Sequence, residues 1–396
     1  MSQPLSDRIL NMSTSATLAM AAKTRELKAE GKDIIGLSLG EPDFNTPDFI
    51  KDAAIQAIND NYNSYSPVDG YVELKEAVIT KFKRDNNLTY TLPQIVVSTG
   101  AKQSLANIAA VMLNKGDEVI LPCPYWVSYS DIVKLSEGVP VEVQTSIDTD
   151  FKMTAAQLEA AITPKTKMLW FSSPCNPSGS LYSQTELEAL AEVLKKHPNI
   201  YVVSDEIYEH INYTGKPHAS MASVDGMFNN TITVNGVSKA FAMTGWRIGY
   251  IGAPDWIARA CNKMQGQVTS GANCIAQQAV ITALNADPSV VKFMIDEFKV
   301  RRDLVLDLLG NIEGFNTNTP EGAFYVFPDI SYFFGKTLRG KTIHNATDFS
   351  LYLLEEALVA TVTGEAFGNP NCIRLSYAAS QKEITEAIKR IKEAVS

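Results

Sequence analysis

Histidine and cysteine are scarce in this 396-residue chain, with four of the first and five of the second. His197, His210, His218 and His344 show no H-E-x-x-H or similar spacing, so no protein-bound metal is expected. That scarcity, together with the lack of G-x-S-x-G, argues against Ser–His–Asp chemistry. Cys123, Cys175, Cys261, Cys274 and Cys372 are odd in number and scattered, with no C-x-x-C pair. Structural thiols in a reduced compartment are the expectation, not a disulfide framework. No apolar run reaches the roughly 18 residues of a spanning helix. The opening MSQPLSDRIL lacks a basic-then-apolar secretory signal, and a cytoplasmic location is expected. A formal net charge of -9, without a Lys/Arg-rich block, disfavours general affinity for nucleic acid. Local positive charge can still serve a small anionic ligand.

What is present reads as an ordinary globular chain, 45% hydrophobic and 20% charged, long enough for two domains. Short apolar runs read as buried strands over 34–39, 94–98, 118–121, 168–172, 201–204 and 231–234. Helix-like stretches lie between them. Thr46-Pro47 supplies an N-cap and a first-turn proline for a helix through Ile58, and Leu187, Leu190, Ala191 and Leu194 share one face of another. Such alternation predicts an α/β fold, a mostly parallel sheet with helices on both faces. From Pro288 to about Ile312 the pattern becomes one long, charged helix. The expected division is a large domain over 45–290 and a smaller α/β domain built from 1–44 with 291–396.

In open α/β sheets ligands bind beyond the carboxyl ends of the strands. Those ends here carry Gly40, Thr99-Gly100-Ala101-Lys102, the segment through Trp126, Asn176 between Pro174 and Pro177, Asp205, and Ser238-Lys239. The turn Thr99-Gly100-Ala101-Lys102, ahead of a helix expected over Gln103–Leu113, suits a phosphate, although many such turns bind nothing. Asp205 after YVVS could be a structural carboxylate, Trp126 plain core and Asn176 a turn residue. Lys239 is less easily explained away. It lies in the apolar stretch VSKAFAMTGWRIGY, where a lysine of lowered pKa is the type that forms Schiff bases. Arg247, between Gly245 and Gly249, suits a bidentate phosphate contact, with a surface pair as the bland alternative. The set would suit a phosphorylated aromatic aldehyde.

LSLGEPDF, PYWVSY, SPCNPSG, SDEIY, SKAFAMTGWRIGY and SYAAS resemble, in order and spacing, the fold-type-I class I aminotransferases, and most of all the bacterial aspartate and aspartate/prephenate branch. The likeness covers nearly the whole chain. It implies pyridoxal 5′-phosphate as cofactor, bound covalently by Lys239, which also shuttles the proton. It further implies Asp205 facing the pyridine nitrogen, Tyr208 and Asn176 at the ring's 3-oxygen, and Trp126 stacked on the ring. Gly100, Ala101, Lys102 and Arg247 match the phosphate positions, and Tyr65 resembles the tyrosine given to the phosphate of a neighbouring subunit. Arg374 resembles the clamp on the substrate α-carboxylate, with Gly40 opposite it. A homodimer with shared sites is therefore expected, with amino acid and 2-oxo acid substrates.

Two departures stand out. Where the family often has Ser or Thr three residues before the lysine, Gly236 stands, so the phosphate would lean on Arg247 and the turn. Gln265–Cys274 holds no Arg or Lys for a side-chain carboxylate, but Lys102 in GAKQ matches the lysine that does this in the branch resembled. L-aspartate with 2-oxoglutarate is the expected pair, with prephenate or aromatic substrates as the alternative. A C–S lyase, decarboxylase or aminoacyl synthase would share the fold and cofactor. A DNA-binding regulator is disfavoured by charge and by the lack of a basic helix-turn-helix segment.

Overall fold

The apolar runs do become strands, and the helices between them close both faces of one sheet. A computed structural model describes residues 5–10, 12 and 16–396. Seven strands lie in the order Ile95–Ser98, Gly249–Gly252, Thr231–Gly236, Tyr201–Asp205, Thr166–Ser172, Glu118–Cys123, Val139–Gln144. The neighbours from Thr231–Gly236 to Val139–Gln144 pair in parallel, whereas Gly249–Gly252 is antiparallel to both its neighbours. Side chains alternate between the faces. Met168 and Trp170 join Val119 and Leu121 under the helices Ala101–Met112 and Asp255–Val268. Leu169 and Phe171 meet Leu187, Leu190 and Ala191 of Gln184–Leu194 on the other side. Each large side chain so buried contributes roughly 1.5–3 kcal/mol. The expected α/β architecture is the one observed.

Three expectations need correcting. The run over 34–39 pairs only at Ile35–Gly36, parallel to Val359–Ala360 and outside the central sheet. Thr46 does not cap the helix Asp48–Asn59; Pro47 takes the N-cap position. The Thr46 hydroxyl instead donates to the Ala242 carbonyl at 2.7 Å, tying this loop to the stretch after Lys239. The helix expected from Gln103 begins two residues earlier, at Ala101, with Gly100 as its N-cap.

A second, antiparallel sheet joins Val362–Thr363, Ile373–Ser376 and Tyr325–Val326, and Arg374 lies on its middle strand. Leu37 bridges the two small sheets: its N–H donates to Ala360 and its carbonyl accepts from Ser376. Among the described residues no helix is long and apolar enough to cross a membrane.

Candidate active site

The parallel strands end on one edge, and the antiparallel strand Gly249–Gly252 begins there. Its register places Gly249 opposite both Ser98 and Gly236. Arg247, two residues upstream, therefore reaches the same edge as the carboxyl-end residues. Gly100, with φ of +81°, turns the chain into its helix, and the Arg247 guanidinium lies against it so closely that a Cβ there would fall 2.3 Å from Nη2. A Cβ on Gly249 would meet the Ala101 nitrogen at 2.2 Å. Both glycines thus allow backbone and guanidinium to crowd round a helix N-terminus, whose first N–H groups have no partner within the helix. Gly236 has a similar reason: a Cβ would press on Gly249 Cα and the Ile248 carbonyl, both at 3.0 Å. The departure noted at this position is explained by close strand packing.

A cavity of about 300 Å³ opens above this edge, within the range of small-molecule sites. Gly40, Ala101, Lys102, Trp126, Asn176, Asp205, Tyr208, Lys239, Arg247 and Arg374 all line it. Gly100 lies just beneath Arg247. Tyr65 is not among the lining residues; it is 95% exposed on this chain's surface.

At one end sit Arg247 and Lys102, and among the described residues no carboxylate pairs with either. Arg247 donates to the Thr244 carbonyl at 2.7 Å. The Lys102 ammonium lies 4.7 Å from the Trp126 ring centroid. Partial burial, then the Arg247 charge, hold it below the usual lysine range. Elsewhere on the wall, Arg374 is 2% exposed and donates to Asn176 Oδ1 at 2.9 Å and to the Ser38 carbonyl at 2.5 Å. Among the described residues its buried Nε–H has no partner. An unmet guanidinium donor at a cavity wall is a place for an oxyanion.

Lys239 Nζ donates to the Gly40 carbonyl at 2.6 Å. Burial pushes its pKa down to about 8; Glu41 opposes this, and Arg374 and Arg247 reinforce it. Asp205, at the end of its strand, is buried and pushed up to about 6, with the Tyr129 hydrogen bond as the largest opposing influence. Tyr208 hydroxyl pairs with Tyr325 hydroxyl at 2.7 Å, and the same Tyr325 ring underlies the Arg374 guanidinium at 4.6 Å. The Tyr325 oxygen also fills the space a Cβ on Gly40 would need, at 2.5 Å.

Sequence reasoning assigned no role to Tyr129 or Tyr325. Tyr129 lay inside the quoted PYWVSY, but nothing in that pattern says where its hydroxyl points. Tyr325, in GAFYVF, carries no motif at all.

A family description, "Aminotransferase class I and II", matches residues 32–391, and the chain belongs to that family and is a transaminase. A relative from Rickettsia bellii, named "Probable aspartate/prephenate aminotransferase", is 48% identical over 98% of both chains. The crystal structure of an aspartate aminotransferase from Rhizobium meliloti superposes with a TM-score of 0.96 at 45% identity, covering 100% of this chain and 99% of that one. An aspartate aminotransferase from Thermus thermophilus, solved with maleate, gives 0.93 at 40% identity over 99% and 100%.

Proposed function

We propose that the cavity binds pyridoxal 5′-phosphate and that the enzyme moves the amino group of L-aspartate to 2-oxoglutarate, giving oxaloacetate and L-glutamate. The observation that carries this is one partly accessible lysine amine on a wall that also holds unneutralised cations and a buried carboxylate. The residues fit the group. Arg247, with the Gly100–Lys102 turn, offers a phosphate cradle that Gly100 and Gly249 keep open. Asp205 would face the ring nitrogen, and the Tyr208 hydroxyl and the Asn176 amide would face the 3-oxygen. Trp126 would cover the ring.

Bound there, the cofactor supplies an aldehyde for covalent attachment and an electron-accepting ring. The chain's own groups do the rest. Arg374 holds the substrate α-carboxylate with its free donor, against the Gly40 backbone. Lys239 Nζ, once released, takes the substrate Cα proton and delivers it back as general base and then acid. Asp205 stays ionised, so that positive charge on the ring nitrogen is favoured. Lys102 reads the side-chain carboxylate; the Thermus thermophilus relative was solved with maleate, itself a dicarboxylate. The name of the Rickettsia bellii relative favours prephenate as a second substrate of the same site.

Tyr65, fully offered to solvent, supports a homodimer in which it serves the partner's phosphate. The pairing of Ile35–Gly36 with Val359–Ala360 supports the division into 45–290 and 1–44 with 291–396. Five free thiols, four of them buried, suit a cytoplasmic setting.

Borohydride treatment of protein saturated with pyridoxal phosphate should place a phosphopyridoxyl mass on the Lys239 peptide, and light scattering should give a two-chain mass. A protein that takes up no cofactor, or carries the label elsewhere, ends the proposal. For the substrate, Lys102→Ala should lower kcat/KM for aspartate by about 10–100-fold, the worth of one charge-assisted hydrogen bond, and change alanine turnover little. Equal losses for both amino acids would remove the dicarboxylate assignment.

A further inference from the structure

Asp205 is 4% exposed, and its two oxygens are held from two sides. Oδ2 accepts the Tyr129 hydroxyl proton at 2.7 Å, and Oδ1 accepts the Ile207 N–H at 3.2 Å. A carboxylate offers about four lone-pair positions. These two bonds take one on each oxygen, and the rest remain for the cavity that Asp205 lines.

Tyr129 is not free to give up this contact. It stands in the first turn of the helix Ser128–Leu135 and is 1% exposed. Its ring is clamped edge-on by Trp126, with centroids 5.6 Å apart, and by Trp170, 5.8 Å apart. Burial, followed by the Asp205 charge, drives the phenol pKa well above its ordinary value, so the proton stays on the tyrosine oxygen. Tyr129 therefore always donates toward Asp205. A permanent donor at this distance favours the ionised carboxylate over the neutral acid.

We infer that Tyr129 is a positioning residue, whose clamped phenol O–H fixes the rotamer of Asp205 and keeps its carboxylate charged toward the cavity. The inference rests on the reading of Asp205 as the group that faces the cofactor's ring nitrogen. Burial works against the charged form here, and so does the neighbouring Glu206 carboxylate; Lys239 helps it, and Tyr208 is the other titratable group nearby. Tyr129 is the chief support on the protein side.

Tyr129→Phe removes one oxygen and keeps the ring between the tryptophans. In cofactor-free protein, carboxyl ¹³C NMR with Asp205→Asn for assignment should show Asp205 titrating about one unit higher in the variant. Affinity for pyridoxal phosphate should fall only about twofold at pH 7, and the gap should widen toward about tenfold as pH drops below about 6, by the same one-unit equivalence. Trp170→Phe, which loosens the clamp but keeps the phenol, should lower the melting temperature and leave the Asp205 titration near that of the unaltered protein. Replacing Tyr129 by 3-fluorotyrosine, a stronger donor of the same shape, should move Asp205 the opposite way, so the inference stays testable if the Phe variant folds poorly. An Asp205 that titrates alike with Tyr, Phe and fluorotyrosine at 129 overturns it. Unaltered protein that takes up no pyridoxal phosphate would instead sink the functional reading, with the cofactor-free titration still deciding on Tyr129.

Discussion

Lys239→Ala should lower kcat for amino transfer by at least about 10⁴-fold, the upper range for losing a general acid–base group, because in the proposed mechanism the same side chain would also anchor the cofactor. The argument starts from the protonation state. A lysine at its ordinary pKa of about 10.4 is neutral in about one molecule in 2,500 at pH 7. Burial has brought Lys239 down to about 8, and roughly one molecule in ten then carries a free amine lone pair. Uptake of pyridoxal phosphate by cofactor-free protein should accordingly speed up as pH rises through about 8 and level off above it. Lys239→Arg separates charge from chemistry. Its guanidinium keeps a cation of similar reach yet offers no neutral form at any working pH, so it should be as inactive as the alanine variant. An arginine variant that retains turnover would refute the role given to Lys239. The lowered pKa also has a stability sign. The folded protein binds fewer protons here than the unfolded chain between about pH 8 and about 10.4, so this group makes stability rise with pH across that window.

Much of the site could be read from sequence because each polar residue follows a short apolar run, and the end of a buried parallel strand is where a polar residue needs a reason. Asp205 after YVVS and Lys239 after TITVN are of this kind. Arg374 needed the family likeness, since its strand Ile373–Ser376 is short and belongs to the second sheet. Two strands of the main sheet escaped altogether. Val139–Gln144 is an edge strand, largely accessible and carrying Pro140, so it shows no apolar run. Gly249–Gly252 has glycine at both ends, and its fit depends on how closely Ala101 and Tyr90 approach them. The opposite error, a six-residue strand over 34–39, arose because Leu37 and Ser38 are buried by other means: Leu37 bridges the small sheets, and the Ser38 carbonyl faces Arg374. Tyr129 and Tyr325 stayed hidden for a different reason. A buried tyrosine packs like any aromatic, and only its hydroxyl partner distinguishes a core ring from a site residue.

In the turn after Asp205, Asp205, Ile207 and Tyr208 line the cavity, whereas Glu206 and Glu209 are buried away from it. What those two acids meet decides how firmly the site residues are held. Glu206 Oε1 accepts the hydroxyls of Ser204 at 2.9 Å and Ser220 at 2.6 Å, and His218 Nε2 lies 3.4 Å from Oε2. Glu209 forms a direct ion pair with Lys81, whose side chain is 1% exposed. Asn86 links the two, accepting from Lys81 Nζ and donating to Glu209 Oε2, both at 2.7 Å. Burial alone would push the Glu209 carboxyl up; the Lys81 charge, with His210 and His218, outweighs it and holds the group well below the usual carboxylate range.

Lys81→Met should therefore cost about 3–5 kcal/mol at neutral pH, because it leaves a carboxylate in the interior without its cation. The pH dependence identifies the cause. In the unaltered protein Glu209 has a depressed folded pKa, so its contribution is present above about 4.3 and is lost as pH falls further. In the variant the orphaned carboxyl takes up a proton on folding, and its penalty shrinks as the medium becomes acidic. The stability gap measured by denaturant unfolding should thus narrow from pH 7 toward about pH 4. Adding Glu209→Gln to Lys81→Met should recover much of the loss, since a neutral amide replaces the stranded charge. A single variant as stable as the parent, or a gap that widens in acid, would show that the pair does not hold this turn.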